Sequence, residues 1–170
     1  MKILAVNLTR LEKYPSSVAV LQVPENQVVH LCSFGNDDDL LQIAAQFQPA
    51  VIAIGSPLGL PNGLCCLDEN CPCEPADKRK GREVERELQR IGIGMFSTGK
   101  GTITRLLIER GIGLKRRLEG LEYRVIEVYP PATKFLLFGS EAPSKNSAKF
   151  VPFMWSVLPP LISGLNPWLG

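Results

Sequence analysis

The chain has 170 residues, of which 45% are hydrophobic and 21% are charged, and its formal net charge is +2. This length and composition suit one globular domain with its own core, and they exclude a disordered or fibrous chain. So mild a positive charge is compatible with nucleic acid as a partner but does not by itself indicate one.

The amino-terminal third of the chain predicts four strands and one helix. Apolar-rich runs at residues 2–9, 17–23, 27–34 and 51–54 are typical of strands, and turn-forming residues separate the second run from the third. Residues 37–47 predict a helix, because acidic residues begin it and its apolar residues share one face.

The remainder begins with a long loop, residues 59–79, rich in Pro, Cys, Asp and Asn. Loops of this length inside a compact domain are usually functional or held by crosslinks. Two helices at residues 80–91 and 102–118 follow, separated by a glycine-rich connection. A buried strand at 123–129 and a short helix at 133–138 complete the predicted elements.

The order of these elements predicts the fold class. Three meandering strands followed by strand–helix units favour an α/β domain with a mixed sheet and helices on both faces. The domain is expected to span residues 1–170 as one unit. The longer helix is expected to break or soften at Gly111 and Gly113, because glycine is a poor helix former.

The carboxyl-terminal segment, residues 143–170, is an apolar tail whose last twenty residues carry no charge. The double proline Pro159-Pro160 argues against a membrane-spanning helix there. A short helix near residues 153–158 is predicted, followed by a tail that packs on the domain or on a second copy, and a membrane-surface anchor is the alternative. The amino terminus lacks the pattern of a signal peptide, so a cytoplasmic location is expected.

Two strands end in shaped loops, and a third strand carries a polar residue. The sequences are VIAIGSPLGLP at residues 51–61 and VIEVYPPATK at residues 125–134, and Asn7 lies in the first strand. Polar groups that converge at strand ends can hold the Mg²⁺ ions that phosphodiester hydrolysis uses. Gly55, however, stands where a side chain is expected at the end of the fourth strand.

These two motifs, together with GREVEREL at residues 81–88, resemble the domain-of-unknown-function 429 family. Its members are described as predicted nucleases with a ribonuclease H-like fold. The Cys-rich CLDENCPC at residues 66–73 also looks like an insertion of some members, and the resemblance extends to about Gly139. It implies a ribonuclease H-like sheet and Mg²⁺- or Mn²⁺-dependent hydrolysis of nucleic acid or another phosphate compound.

The chain departs from the family pattern at two acidic positions. The family usually carries aspartate where this chain has Asn7 and Gly55, whereas Glu127 is retained. The resemblance therefore implies weakened or lost catalysis, with Glu127 as the metal ligand and Asn7 assisting it. A non-enzymatic regulatory protein that binds nucleic acid or a partner is the alternative. The expected contacts to substrate are Ser56, Arg82, Arg86 and Lys134.

Other interpretations of the charged residues remain open. By the family pattern Arg82 and Arg86 can face the retained Glu127 instead of a phosphate, or they can form ion pairs with Glu85 on one helical face. The remaining acidic residues near the strand end are interpreted as solvated surface charges and not as replacement ligands; they are Asp68, Glu69, Asp77, Glu83 and Glu85. The segment GMFSTGKG, residues 94–101, nearly matches a phosphate-binding loop but lacks the Ser or Thr after Lys100.

Four of the five cysteines lie between residues 65 and 73. Four thiolates are typical of a zinc site, but adjacent Cys65 and Cys66 make joint tetrahedral ligation difficult. Free thiols, or a disulfide from Cys66 to Cys71 or Cys73, are therefore preferred over zinc bound by Cys66, Cys71 and Cys73. A zinc or thiol module is the third functional hypothesis. The fifth cysteine, Cys32, is predicted to be a small buried apolar residue.

Overall fold

The computed structural model describes residues 1–10 and 14–165 and contains one mixed five-stranded sheet. The strand order is β3-β2-β1-β4-β5. β1 pairs with β2 and β2 with β3 in antiparallel fashion, whereas β1 with β4 and β4 with β5 are parallel. The predicted α/β class is thereby confirmed. The strands are β1 Lys2–Asn7, β2 Ser16–Gln22, β3 Gln27–Phe34, β4 Val51–Ile54 and β5 Val125–Glu127.

Five helices accompany the sheet in the described part of the chain. Helix α1 begins with a capping box, in which Asn36 accepts from the Asp39 N–H and Asp39 accepts from the Asn36 N–H. The sequence predicts a break or softening of the longer helix, α3, at its two glycines. This prediction is wrong: α3 is continuous, because buried residues near both of its ends pack into the core. The helices are α1 Asp37–Phe47, α2 Glu83–Arg90, α3 Arg105–Glu119, α4 Pro130–Phe138 and α5 Phe150–Val157.

The hydrophobic core lies on one face of the sheet. Leu4 of β1 and Ile52 of β4 pack there with Leu40 of α1 and Leu114 of α3, and all four side chains are buried. On the opposite face of the central strand, Ala5 is exposed. In the part of the chain that the structure describes, Ala5 is left uncovered on that face, whereas Ala53, its neighbour on β4, is buried.

Strand β5 is shorter and more exposed than the sequence predicts. It covers three residues, of which Ile126 and Glu127 are exposed. The expectation of a buried strand at residues 123–129 was wrong because β5 is the edge of the sheet and pairs only with β4. Val125 of β5 packs against the core, as does Tyr123 before the strand.

The carboxyl-terminal segment returns to the opposite edge of the sheet. The Ser163 N–H donates to the Asn26 carbonyl and the Val28 N–H donates to the Ser163 carbonyl, which extends the edge at β3. Phe153 of α5 contacts Phe138 of α4 edge to face. An oligomer contact through this tail stays a prediction, and its last five residues lie outside the described residues. None of the described helices has the length and apolar character needed to cross a membrane.

The two glycines of α3 should respond to alanine in opposite directions. A Cβ added at Gly111 would lie 2.6 Å from Ser56 Oγ and 3.1 Å from the Pro57 carbonyl oxygen, whereas at Gly113 it would meet nothing within 4 Å. Gly113→Ala should stabilise the protein by about 0.5–1 kcal/mol through helix propensity. Gly111→Ala should destabilise it by about 1–2 kcal/mol, because overpacking exceeds that gain. Urea denaturation measures both, and equal changes would contradict the close packing at Gly111.

Candidate functional site

The three positions expected to form an acidic site lie at the carboxyl ends of three neighbouring parallel strands. Val6, Ile54 and Glu127 are direct cross-strand neighbours. Since successive side chains of a strand point to opposite faces, Glu127 leaves the sheet on the core face and Asn7 leaves it on the open face. The structure therefore does not bring Asn7 and Glu127 together.

Gly55 follows β4 next to Asn7, and its N–H donates to the Val6 carbonyl at 2.8 Å. A Cβ at this position would lie 3.3 Å from the same carbonyl oxygen and 3.8 Å from the ring of Pro130. A side chain would therefore need its neighbours to shift by only a few tenths of an ångström. The position can hold an aspartate, but in this chain it supplies no ligand atom.

Glu127, the retained carboxylate, is fully engaged by groups of the chain itself. Arg82 donates from Nη1 and Nη2 to its two oxygens at 2.7 and 2.6 Å, in a bidentate pair. The Leu58 N–H also donates to Oε2 at 2.8 Å. Bidentate charge-assisted pairs are among the stronger hydrogen bonds in proteins. A metal ion at Glu127 would have to displace the guanidinium group of Arg82.

Arg82 joins Glu127 to a second, buried carboxylate. The side chain of Glu85 has no exposed surface, and it accepts from the Arg82 Nε at 2.7 Å and the Arg82 N–H at 3.0 Å. The Thr98 N–H and hydroxyl donate to it as well. Burial by itself raises the pKa of Glu85, but the donors from Thr98 and Arg82 outweigh burial and lower the pKa. Glu85, which the sequence predicts to be a solvated surface charge, is therefore buried and connects Arg82 with Thr98.

The other predicted phosphate contacts also have partners within the chain. The Ser56 hydroxyl is buried and donates to the carbonyls of Leu107 and Pro57 at 3.3 Å each. Arg86 donates to the Gly81 carbonyl at 2.7 Å and lies 3.3 Å from the Asp77 carboxylate. Lys134 donates to the carbonyls of Ala142 and Pro143. Their roles in binding substrate stay predictions, and each would require one of these contacts to open.

A cationic cavity lies beside this network. Its volume is about 380 Å³, and residues 97–102 form part of its lining. Lys78 and Lys80 are exposed and have no carboxylate within 4 Å among the described residues, whereas Arg79 pairs with Asp77. Among the residues that the structure describes, no Asp or Glu lines the cavity. Two features of the sequence point to this cavity: the basic run at residues 78–82 and the near match to a phosphate-binding loop at residues 94–101. The cationic residues that line it are Lys78, Arg79, Lys80 and Lys100.

The four clustered cysteines lie together at the surface of the long loop. Their sulfur atoms are all within 4.8 Å of one another, and the Cys65 and Cys71 sulfurs are 3.5 Å apart. All are free thiols, so neither expected disulfide is present. The hydrogen bond to Cys71 raises the pKa of Cys65 to about 12, and the backbone hydrogen bond from Cys65 lowers that of Cys73 to about 6. The cluster can hold a metal such as zinc.

This geometry removes the difficulty expected from the adjacency of Cys65 and Cys66. The loop turns between them and Cys71, so that both sulfurs share the cluster. Among residues 1–10 and 14–165 it is the one group of three or more Cys, His, Asp or Glu side chains close enough to ligate an ion. No such group surrounds Glu127, so the described residues do not fit Mg²⁺ or Mn²⁺ there.

Comparison of the chain with protein-family models, with curated proteins and with solved structures finds no match in any of the three.

Proposed function

We propose that this chain is a ribonuclease H-like protein, related to the domain-of-unknown-function 429 family, that has lost metal-dependent phosphodiester hydrolysis and binds nucleic acid. The observed order of an antiparallel meander followed by parallel strands agrees with that fold. The motifs at residues 51–61 and 125–134 support the relation to the family. Fold alone does not establish function, so the proposal depends on the site.

The single observation that carries the loss of catalysis is the bidentate pair between Arg82 and Glu127. Mg²⁺ and Mn²⁺ require oxygen ligands that bring negative charge, and two-metal hydrolysis requires several carboxylates at one place. Here Arg82 neutralises Glu127, Gly55 offers no side chain, and Asn7 lies on the other face. No set of ligands for two ions is assembled at the strand ends.

The cationic cavity supports the binding of a phosphate-bearing ligand. Lys78 and Lys80 are exposed and line it together with the glycine-containing turn at residues 97–102. Cationic side chains without acidic neighbours attract phosphate, and they contribute most of the sequence-independent affinity for nucleic acid. The family resemblance implies nucleic acid or another phosphate compound as ligand, and a lining of basic residues without Asp or Glu among the described residues agrees with either.

The test combines cleavage and binding assays on single- and double-stranded DNA and RNA. With Mg²⁺ or Mn²⁺ present, we expect binding without cleavage. The variant Lys78→Glu/Lys80→Glu should bind more weakly, and the slope of log affinity against log salt should decrease by about 2. The variant Lys145→Glu/Lys149→Glu makes the same change of net charge on exposed lysines elsewhere and should keep the wild-type slope.

Three outcomes would contradict parts of this proposal. Metal-dependent cleavage that disappears in Glu127→Gln would restore the nuclease function. An equal loss of affinity in both lysine variants would exclude the cavity as the binding site. Competition by a mononucleotide as strong as that by an oligonucleotide would identify a small phosphate compound as ligand. Mn²⁺ binding is measured by calorimetry, with Asn7→Asp/Gly55→Asp as the positive control. This variant places two carboxylates side by side on neighbouring strands.

The metal that suits the described residues is zinc and not Mg²⁺ or Mn²⁺. Thiolates are preferred ligands of Zn²⁺, whereas Mg²⁺ and Mn²⁺ prefer oxygen. A zinc module is therefore the second candidate function, favoured by the four sulfur atoms that lie within 4.8 Å of one another.

A further inference from the structure

The loop between β4 and α2 contains no helix or strand, yet it follows a defined path. The Ala76 N–H donates to the Asn62 carbonyl at 2.7 Å, and Gly63 approaches the opposite limb so closely that a Cβ there would lie 2.4 Å from the Glu74 carbonyl oxygen. Leu58 and Pro61 are buried where it leaves β4, but across residues 62–80 Leu67 is the one buried residue. With so few buried apolar side chains, the loop needs another interaction to offset the conformational entropy that is lost when it becomes ordered.

The cysteines lie where such an interaction would act. The Asn70 N–H donates to the Asp68 side chain at 3.0 Å, and the Cys71 N–H donates to the Asp68 carbonyl at 3.2 Å. This turn brings the second pair of cysteines back towards the first pair. The four sulfurs come from both sides of the turn, so one ion bound by all four would crosslink the loop.

The distances agree with tetrahedral coordination. With Zn–S bonds of about 2.3 Å, the sulfurs of a regular tetrahedron are about 3.8 Å apart. In the structure, the sulfurs of Cys65 and Cys71 are 3.5 Å apart, and every pair lies within 4.8 Å. We propose that Cys65, Cys66, Cys71 and Cys73 bind one zinc ion in a closed structural site. This inference goes beyond nucleic-acid binding and does not depend on it.

A lysine contacts the backbone of the proposed site. Four thiolates around Zn²⁺ carry a net charge of −2, which a nearby ammonium group stabilises. The Lys100 Nζ donates to the Cys71 carbonyl, and Glu69 packs against Gly101 in the same turn. Lys100 therefore joins the cysteine loop to the turn at residues 99–102. It is a positioning residue for Cys71 and not a ligand.

The site is structural and not catalytic, because four protein thiolates leave no open coordination position. The competing state of the same residues is a disulfide between Cys65 and Cys71, whose sulfurs are already close. A disulfide would consume two of the four ligands, so zinc and the disulfide exclude each other. The thiol content of the purified protein therefore distinguishes the two states directly.

The experiment measures the zinc content of the full chain, purified under reducing conditions without a histidine tag or chelator. We expect one zinc per chain, retained on dialysis. Co²⁺ added to the metal-depleted protein should give the thiolate charge-transfer and tetrahedral ligand-field bands of a four-sulfur site. Cys71→Ser and Cys73→Ser should lose the metal, whereas Cys32→Ser, which changes a thiol outside the cluster, should keep it.

Lys100→Met provides a test that keeps all four ligands. In competition with a chromophoric chelator, its apparent zinc affinity should be about ten-fold lower than that of wild type. Lys149→Met, an exposed lysine elsewhere, should not change the affinity. The inference would be overturned by zinc-free reduced protein that gives no tetrahedral Co²⁺ spectrum. It would also be overturned by a zinc stoichiometry unchanged in Cys71→Ser.

Discussion

Replacing Glu85 with alanine should lower the free energy of unfolding by about 3–5 kcal/mol, because removing one member of a buried ion pair leaves its partners unsatisfied. The variant deprives Arg82 Nε and both donors of Thr98 of their acceptor in a place without solvent. Urea denaturation followed by circular dichroism gives the change. The same network joins α2 to the turn at residues 97–102 and so holds one wall of the cationic cavity.

Glu83→Ala is the matched control, since Glu83 lies in the same first turn of α2 but is exposed and has no ion-pair partner within 4 Å among the described residues. Its effect should remain within about 0.5 kcal/mol. If Glu85→Ala were as mild as Glu83→Ala, the buried network would not be an anchor of the fold.

The free energy of unfolding measured at acidic pH tests the contribution of Glu85 independently. Its pKa in the folded protein lies below the ordinary value of 4.5, so the unfolded chain binds the proton more tightly. The stabilisation by Glu85 is therefore complete above pH 4.5 and is lost as the pH falls through the folded pKa. Glu85→Gln, which does not titrate, should lower stability at neutral pH and show a shallower loss below pH 4.5.

Replacing Arg82 with methionine should destabilise the protein by about 3 kcal/mol, because it leaves two carboxylates without their cation. Glu85 is fully buried and Glu127 is 30% exposed, so the larger part of the effect should come from Glu85. Arg82→Lys keeps the positive charge, but an ammonium group cannot hydrogen-bond to both carboxylates as the planar guanidinium group does. It should therefore recover only part of the lost stability.

Arg90→Met is the control for Arg82, because Arg90 pairs with Glu87 on the exposed surface of the same helix. Removing such a surface pair should cost no more than about 0.5 kcal/mol. A double-mutant cycle between Arg82→Met and Glu127→Gln should show a coupling well above the error of either single variant. Additive effects of these two changes would contradict the bidentate pair.

The position of Arg82 bears on the hypotheses that the sequence left open for it, and its contact to phosphate stays a prediction. A phosphate contact and an ion pair within the chain use the same guanidinium nitrogens, and in the structure all three side-chain nitrogens donate to carboxylates. Arg82 is therefore occupied, and the exposed Lys78 and Lys80 are the better candidates for contacts to phosphate. This is why the binding test changes the lysines.

The sequence by itself determined the elements whose signals are local. The bounds of β3, α1 and β4 agree with the structure to the residue. In each, a turn or cap lies directly beside an apolar run, as Asn36 does before α1. Such signals act over a few residues and need no knowledge of the fold. The crowding of the four cysteines was visible for the same reason.

The tertiary structure alone decided which of these residues meet. The partners Arg82 and Glu127 are 45 residues apart, and the face on which Asn7 lies depends on the register of β1. Glu85 is buried because the turn at Thr98 folds over it, and β5 is exposed because it forms a sheet edge. Side-chain type shows what each residue can do, but contacts between distant segments depend on strand order, register and packing, which no local pattern contains.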